Sequence, residues 1–212
     1  MRDSSRRTSS EDDEAREAYE SRLSLADIER HRSHPVRWTV YLSGVLVAII
    51  GPYWLGRSLA VHETAWLVGR METFTPQGIA FVSWVVTATA LTGLGMAVIE
   101  SSRWFWRIVF LVGLAAEQLI AGASLLRFDF WYSTYVVYGR YSPLANAANM
   151  GIIAAGGAAA AFAVVFVGLL VLIRRDSPLN VLTRSWAAFL LFAVIQGLAL
   201  AVVLCSGLLT DV

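Results

Sequence analysis

The chain contains no lysine: all seventeen of its basic residues are arginine. That excludes a lysine Schiff base and a lysine nucleophile. Cysteine occurs once, at Cys205, so no disulfide can close within the chain, and cysteine usage says nothing about redox compartment. Of the three histidines, His31 and His34 precede the first apolar run and His62 follows it. No haem can therefore be held between membrane helices by histidine. The net charge of +1 is too small to attract nucleic acid. The sequence also lacks GxSxG, HExxH, a P-loop, GxGxxG ahead of a helix, and paired acids at catalytic spacing. These absences argue against an enzyme and against any cofactor.

Charge is scarce as well, at 16% of residues against 57% hydrophobic, where a soluble domain averages about 25% and roughly 45–50%. Its distribution matters more than its amount. Nine of the sixteen acids and seven of the seventeen arginines fall in the first 35 positions. The remaining body has too few water-binding groups to cover itself, and its natural solvent is lipid.

The division is therefore a polar tail over 1–35 and a membrane domain over 36–212. In the tail, Ser10 with Asp13 and Ser24 with Asp27 have capping-box-like spacing. Asp12–Arg16 and Asp27–Arg30 are helix-compatible charge pairs. Ala15, Tyr19, Leu23 and Ala26 form a thin apolar stripe. These features predict one or two short amphipathic helices after a disordered start, ended by His34-Pro35. No cleavable signal peptide is expected, since the first apolar run starts late and is too long. That run is read as a signal anchor.

Five apolar runs follow, near 38–55, 78–99, 104–126, 151–173 and 186–209. Each is long enough for a hydrocarbon core of about 30 Å, which predicts an all-α bundle of five transmembrane helices. Ser142-Pro143 suggests that the fourth helix starts before its apolar run. With the N-terminus inside, the cytoplasmic flanks hold Arg30, Arg32, Arg37, Arg103, Arg107, Arg174, Arg175 and Arg184. The outer flanks then hold only Arg57, Arg70, Arg127 and Arg140, which favours a cytoplasmic N-terminus and an outer C-terminus in the cell membrane. Trp38, Trp54, Trp104, Trp106 and Trp186 mark the helix ends, as interfacial aromatics do. Residues 57–74 predict a short surface helix. The aromatic stretch 128–141 is read as an outer interface anchor, or as a lid for an apolar ligand.

Glu117, about midway along the third run, is the one acid expected deep in the bilayer. An ionisable group there costs on the order of 2.5–3.5 kcal/mol by insertion scales, so it must face protein or water. Gly113, Ala121 and Ser124 share its helical face. It is either a functional acid, as in a proton relay or cation site, or a hydrogen-bonding tie between helices. Gln118 and Gln196 are the next most polar groups, and a Glu117–Gln196 bond is expected from their similar depth. Ser83, Thr87, Thr89 and Thr92 could join that network, although such hydroxyls usually bond their own helix. Gly156–Ala160 and Gly157–Ala161 have small-xxx-small spacing, which favours close helix packing within the bundle or between subunits. His62, Glu63 and Asp129 are weak candidates for an outer-face ligand. One histidine with scattered acids does not make a metal site.

The leading expectation is a non-enzymatic membrane subunit or scaffold that self-associates or joins another membrane subunit. Its alternative is a small channel or transporter with a path along Glu117, Gln118, Ser124, Gln196 and Thr87. A lipid-modifying enzyme would need His62, Glu63 and Asp129 to converge.

Overall fold

The computed structural model describes residues 35–99, 104–172, 185–205, 207 and 209. The amphipathic helices expected in the tail, with His31 and His34, lie outside the described residues. So do Arg103, Arg174, Arg175 and Arg184. Two compact units divide the chain, Met1–Gly44 and Val45–Val212. The described part of the first, 35–44, is the opening of a helix.

All described elements are helical. Helix α1 spans Pro35–His62 and α2 spans Thr64–Met71. Next come α3, Pro76–Ile99, and α4, Trp104–Ala123. Helix α5, Phe130–Tyr138, leads through a 3-10 turn at Gly139–Tyr141 into α6, Ser142–Leu172. Helix α7 is Ser185–Cys205. Five of the helical segments are long and apolar enough to cross a membrane. Large apolar side chains point away from the bundle along their length, among them Val164 at 74% exposure, Val171 at 78% and Leu198 at 62%. Apolar cover on that scale suits hydrocarbon rather than water.

Local chemistry fixes the helix ends. Thr75 caps α3 by accepting a bond from Gly78 N–H at 3.1 Å, with Pro76 in the first turn, where its missing N–H costs nothing. Helix α4 closes with Leu126 N–H on Ala121 O at 2.8 Å and Leu125 N–H on Gly122 O at 3.2 Å, the paired bonds of a Schellman end. That end needs a left-handed residue, and Leu125 supplies it at φ 54°, where glycine is usual. Its side chain is only 6% exposed and packs with Ala60, Tyr138 and Ala145. Its packing there offsets a left-handed strain of about 1–2 kcal/mol.

Residues 130–171 are helical almost without interruption, yet they do not form one rod. Gly139 has φ 56° and breaks the axis. Thr134 and Asn146, twelve residues apart, lie 2.7 Å from each other through their side chains. A single straight helix would hold them about 18 Å apart. The aromatic stretch is thus a separate helix, folded back on α6. Phe130, Thr134 and Tyr138 form its buried face, while Trp131, Tyr132, Tyr135 and Val136 face outward.

Small residues set the closest helix approaches. A Cβ on Gly56 would collide with Leu119 O and lie 2.7 Å from Ala123 N, and one on Gly122 would collide with Tyr53 O. Helices α1 and α4 thus meet glycine to glycine, a contact that dispersion and weak backbone polarity stabilise in lipid. Gly93 against Phe110 and Gly113 against Ala90 set α3 and α4 antiparallel. Gly151 backs onto Ala80 and Ser83, and Ala80 also clusters with Ala147, so α3 and α6 run parallel. The Phe162–Phe192 pair at 5.3 Å and the Gln196–Ala155 bond set α7 antiparallel to α6.

Candidate functional site

The buried polar side chains of the described residues are Ser83, Thr87, Ser124, Thr134, Ser142, Asn146, Asn149 and Gln196. They are not scattered. The helix registers above arrange them in one column, starting where α5 folds onto α6 and ending midway along α6.

At the first level, Thr134 Oγ1 meets Asn146 Oδ1 at 2.7 Å, and the Tyr138 hydroxyl donates to Ala123 O. These contacts tie α5 to both α6 and α4. One turn along α6, Asn149 is fully buried. Its Nδ2 donates to Ser124 O at 2.8 Å. That bond fixes the amide's orientation, so Oδ1 accepts from Ser124 Oγ–H at 2.6 Å. Both ends of one asparagine are therefore spent on one serine, which joins α6 to the end of α4. Burying an amide is tolerable only when it is satisfied in this way. At the next level Ser83 Oγ donates back to Ile79 O at 2.9 Å.

The last level holds Thr87 and Gln196. Stepping one turn along parallel α3 and α6 from the Ser83–Gly151 contact brings Thr87 to the level of Ala155. Gln196, reaching in from α7, donates Nε2–H to Ala155 O at 3.0 Å. Beyond it come half-buried aromatics: Phe162 stacks on Phe166 at 5.4 Å and meets Phe192 edge-on at 5.3 Å. The column stops there.

Sequence reasoning named Ser124, Thr87 and Gln196, and all three lie in the column. It set Glu117 beside Gln196, and the structure does not pair them. Gln196 spends its N–H on the Ala155 carbonyl, because a backbone acceptor on the adjacent helix is closer than a carboxylate on α4. Glu117 is half-buried on the α4 face between Gly113 and Ala121, with no hydrogen bond or ion pair among the described residues. Gln118 is half-buried too. Among the hydroxyls, Ser83 and Thr92 bond their own helix, whereas Thr87 does not.

The outer-face candidates do not assemble. His62 is exposed and its Nδ1 lies 3.1 Å from Ser58 O, within its own helix. Asp129 faces Arg127 at 3.9 Å with both side chains largely exposed, and Glu63 is exposed ahead of α2. Among the described residues no three His, Cys, Asp or Glu side chains gather as metal ligands. On α6, Gly156, Gly157, Ala160 and Ala161 are exposed, and a Cβ on either glycine would meet nothing within 4 Å. Gly113 is in contact with Ala90.

Asn146, Asn149, Thr134 and Tyr138 carry the column's first two levels and were missed in the sequence. Their signal was the spacing of Ser142, Asn146 and Asn149, which share one face once α6 starts at Ser142. Chemically the column is neutral, made of amides and hydroxyls. It can hold helices in register and bind water, but it presents no nucleophile with an adjacent base. No protein-family model, curated protein or solved structure matches the chain.

Proposed function

We propose that this protein is a non-enzymatic integral-membrane subunit or scaffold, with five crossings, its N-terminus cytoplasmic and its C-terminus outside. Arginine excess on one set of helix flanks supports that orientation. The association surface is the small-residue face of α6, at Gly156, Gly157, Ala160 and Ala161. The observation that carries this reading is a division of labour among the small residues. Gly56, Gly93, Gly113, Gly122 and Gly151 are filled by neighbouring helices of the same chain, whereas Gly156 and Gly157, like Gly44, Gly51, Gly95, Gly168 and Gly197, open onto empty space. Of these, only Gly156 and Gly157 stand side by side with Ala160 and Ala161 one turn on. A helix of another subunit can approach that face as closely as α1 approaches α4, with van der Waals contact as the reward.

The neutral, dead-ended column supports a scaffold over a transporter. A transport path needs polar groups across the bilayer, and here the Phe162, Phe166 and Phe192 cluster follows the Gln196 level. Glu117, half-buried and without a bond among the described residues, is the feature that a transport reading would use. Flux through vesicles carrying the wild-type protein, abolished by Glu117→Gln, would favour that reading instead.

The test of association is Gly156→Leu combined with Gly157→Leu, read by single-molecule photobleaching and co-purification from native membranes. The wild-type protein is expected in assemblies, alone or with a second membrane protein, and the double variant as a folded single chain. A wild-type chain that is monomeric and co-purifies with nothing would overturn the proposal, as would assemblies unaffected by the substitutions.

A further inference from the structure

Helix α5 hangs between two non-helical links. Residues 124–129 precede it, and Gly139 follows at φ 56° and ψ −123°, a backbone state that residues with a Cβ rarely adopt. At nine residues it is far too short to cross a bilayer. Charges bracket it: Arg127, Asp129 and Arg140 are all exposed, which sets α5 at the aqueous end of the bundle. Its outward face carries Trp131, Tyr132, Tyr135 and Val136, aromatics of the kind that sit at a membrane–water interface.

Where the aromatic sequence suggests a lid for an apolar ligand, the side chains beneath α5 are polar. Asn146 comes first, and the Asn149–Ser124 pair stands behind it. The inward face of α5 meets them with polar groups of its own. Thr134 Oγ1 lies 2.7 Å from Asn146 Oδ1, and the Tyr138 hydroxyl donates to Ala123 O. Tyr138 and Val137 also pack with Leu125 and Ala145. A hydrogen bond broken at the aqueous end is replaced by one to water, so its net contribution is small. One broken in hydrocarbon is not replaced. The two polar contacts of α5 are therefore the least costly of the column to open, and Gly139 supplies a hinge.

We propose that α5 is a hinged lid that swings about Gly139 and opens the polar column to water. Opening releases the Thr134–Asn146 and Tyr138–Ala123 contacts, and water takes their place. It uncovers Asn146 and then the Asn149–Ser124 pair, making a polar vestibule that ends at the Gln196 level. Lid motions of this kind run on microseconds to seconds.

The test is cysteine accessibility in the full chain in nanodiscs, with Cys205→Ser removing the native thiol. Ala145→Cys places a thiol on α6 against Tyr138. Ala158→Cys, at a buried site farther along α6, reports global unfolding. A charged thiol reagent should modify the first slowly and leave the second untouched. Thr134→Val and Tyr138→Phe should each speed the first by roughly threefold to fifteenfold, the factor that one interhelical bond corresponds to, without exposing the second. A rate at Ala145→Cys that either variant leaves unchanged would overturn the proposal, as would modification of both thiols together. Hydrogen exchange gives an answer that needs no new thiol. Tyr138→Phe should accelerate the protected amides of α5 by one common factor, and acceleration confined to its terminal amides would overturn the lid.

Discussion

Asn149 ties α6 to the end of α4, because both ends of its amide bond one serine inside the bundle. Interhelical bonds in membrane proteins average about 0.6 kcal/mol and reach about 1.7 kcal/mol. Asn149→Leu removes two of them and should lower stability by about 1–2 kcal/mol. Ser124→Ala keeps the carbonyl that accepts from Nδ2 but leaves Oδ1 buried without a donor, which costs about 1–3 kcal/mol. Thermal unfolding of the two variants in the same detergent checks both losses; a Ser124→Ala midpoint equal to wild type would contradict the assignment of the amide. Leu125 offers a second residue-scale test. Leu125→Ala loses burial and keeps the left-handed strain, whereas Leu125→Gly loses burial but relieves the strain of about 1–2 kcal/mol. The glycine variant should be the more stable of the two, reversing the usual helix preference for alanine.

Among elements, glycine has two distinct uses, and substitution separates them. Gly122→Leu must displace the α1 backbone at Tyr53, so it should destabilise by several kcal/mol or abolish folding, as overpacking against rigid backbone does. Gly157→Leu meets open space and should leave the unfolding midpoint within a few degrees of wild type. Size-exclusion profiles and unfolding curves distinguish the outcomes; equal sensitivity at both positions would mean that the helix packing is misassigned. The same contrast shows what the sequence could reveal. Small-xxx-small spacing is legible at Gly156–Ala160 and at Gly56–Ala60 alike, but spacing does not say which face meets another helix of the same chain. That choice is tertiary. Helix α5 was hidden for a related reason. Its aromatics suit either a surface anchor or a packed helix, and only the Gly139 break and the Thr134–Asn146 contact distinguish them.

For the whole molecule, the five apolar segments were plain in the sequence because a bilayer imposes a length and a composition that no soluble element needs. The polar interior was less legible. Ser142-Pro143 marks the early start that α6 takes, but hydropathy opens the fourth span only at Gly151, and that reading puts Asn146 and Asn149 outside the bilayer, where a polar residue gives no signal. Depth alone suggested a Glu117–Gln196 pair, but depth fixes only one coordinate of three. The rotation of α4 and the nearer Ala155 carbonyl decided the partner. Glu117→Gln should therefore leave the unfolding midpoint nearly unchanged, since no bond within the described residues is lost. A large drop would show that the carboxylate has a structural partner.

Five crossings require the two termini to lie on opposite sides of the membrane, so the most direct test labels both ends of one protein. Small epitope tags before Met1 and after Val212, probed with impermeant antibody in intact cells and again after permeabilisation, give the answer. The C-terminal tag should be stained in intact cells and the N-terminal tag only after permeabilisation. Both tags on the same side would mean an even number of crossings and would contradict the account.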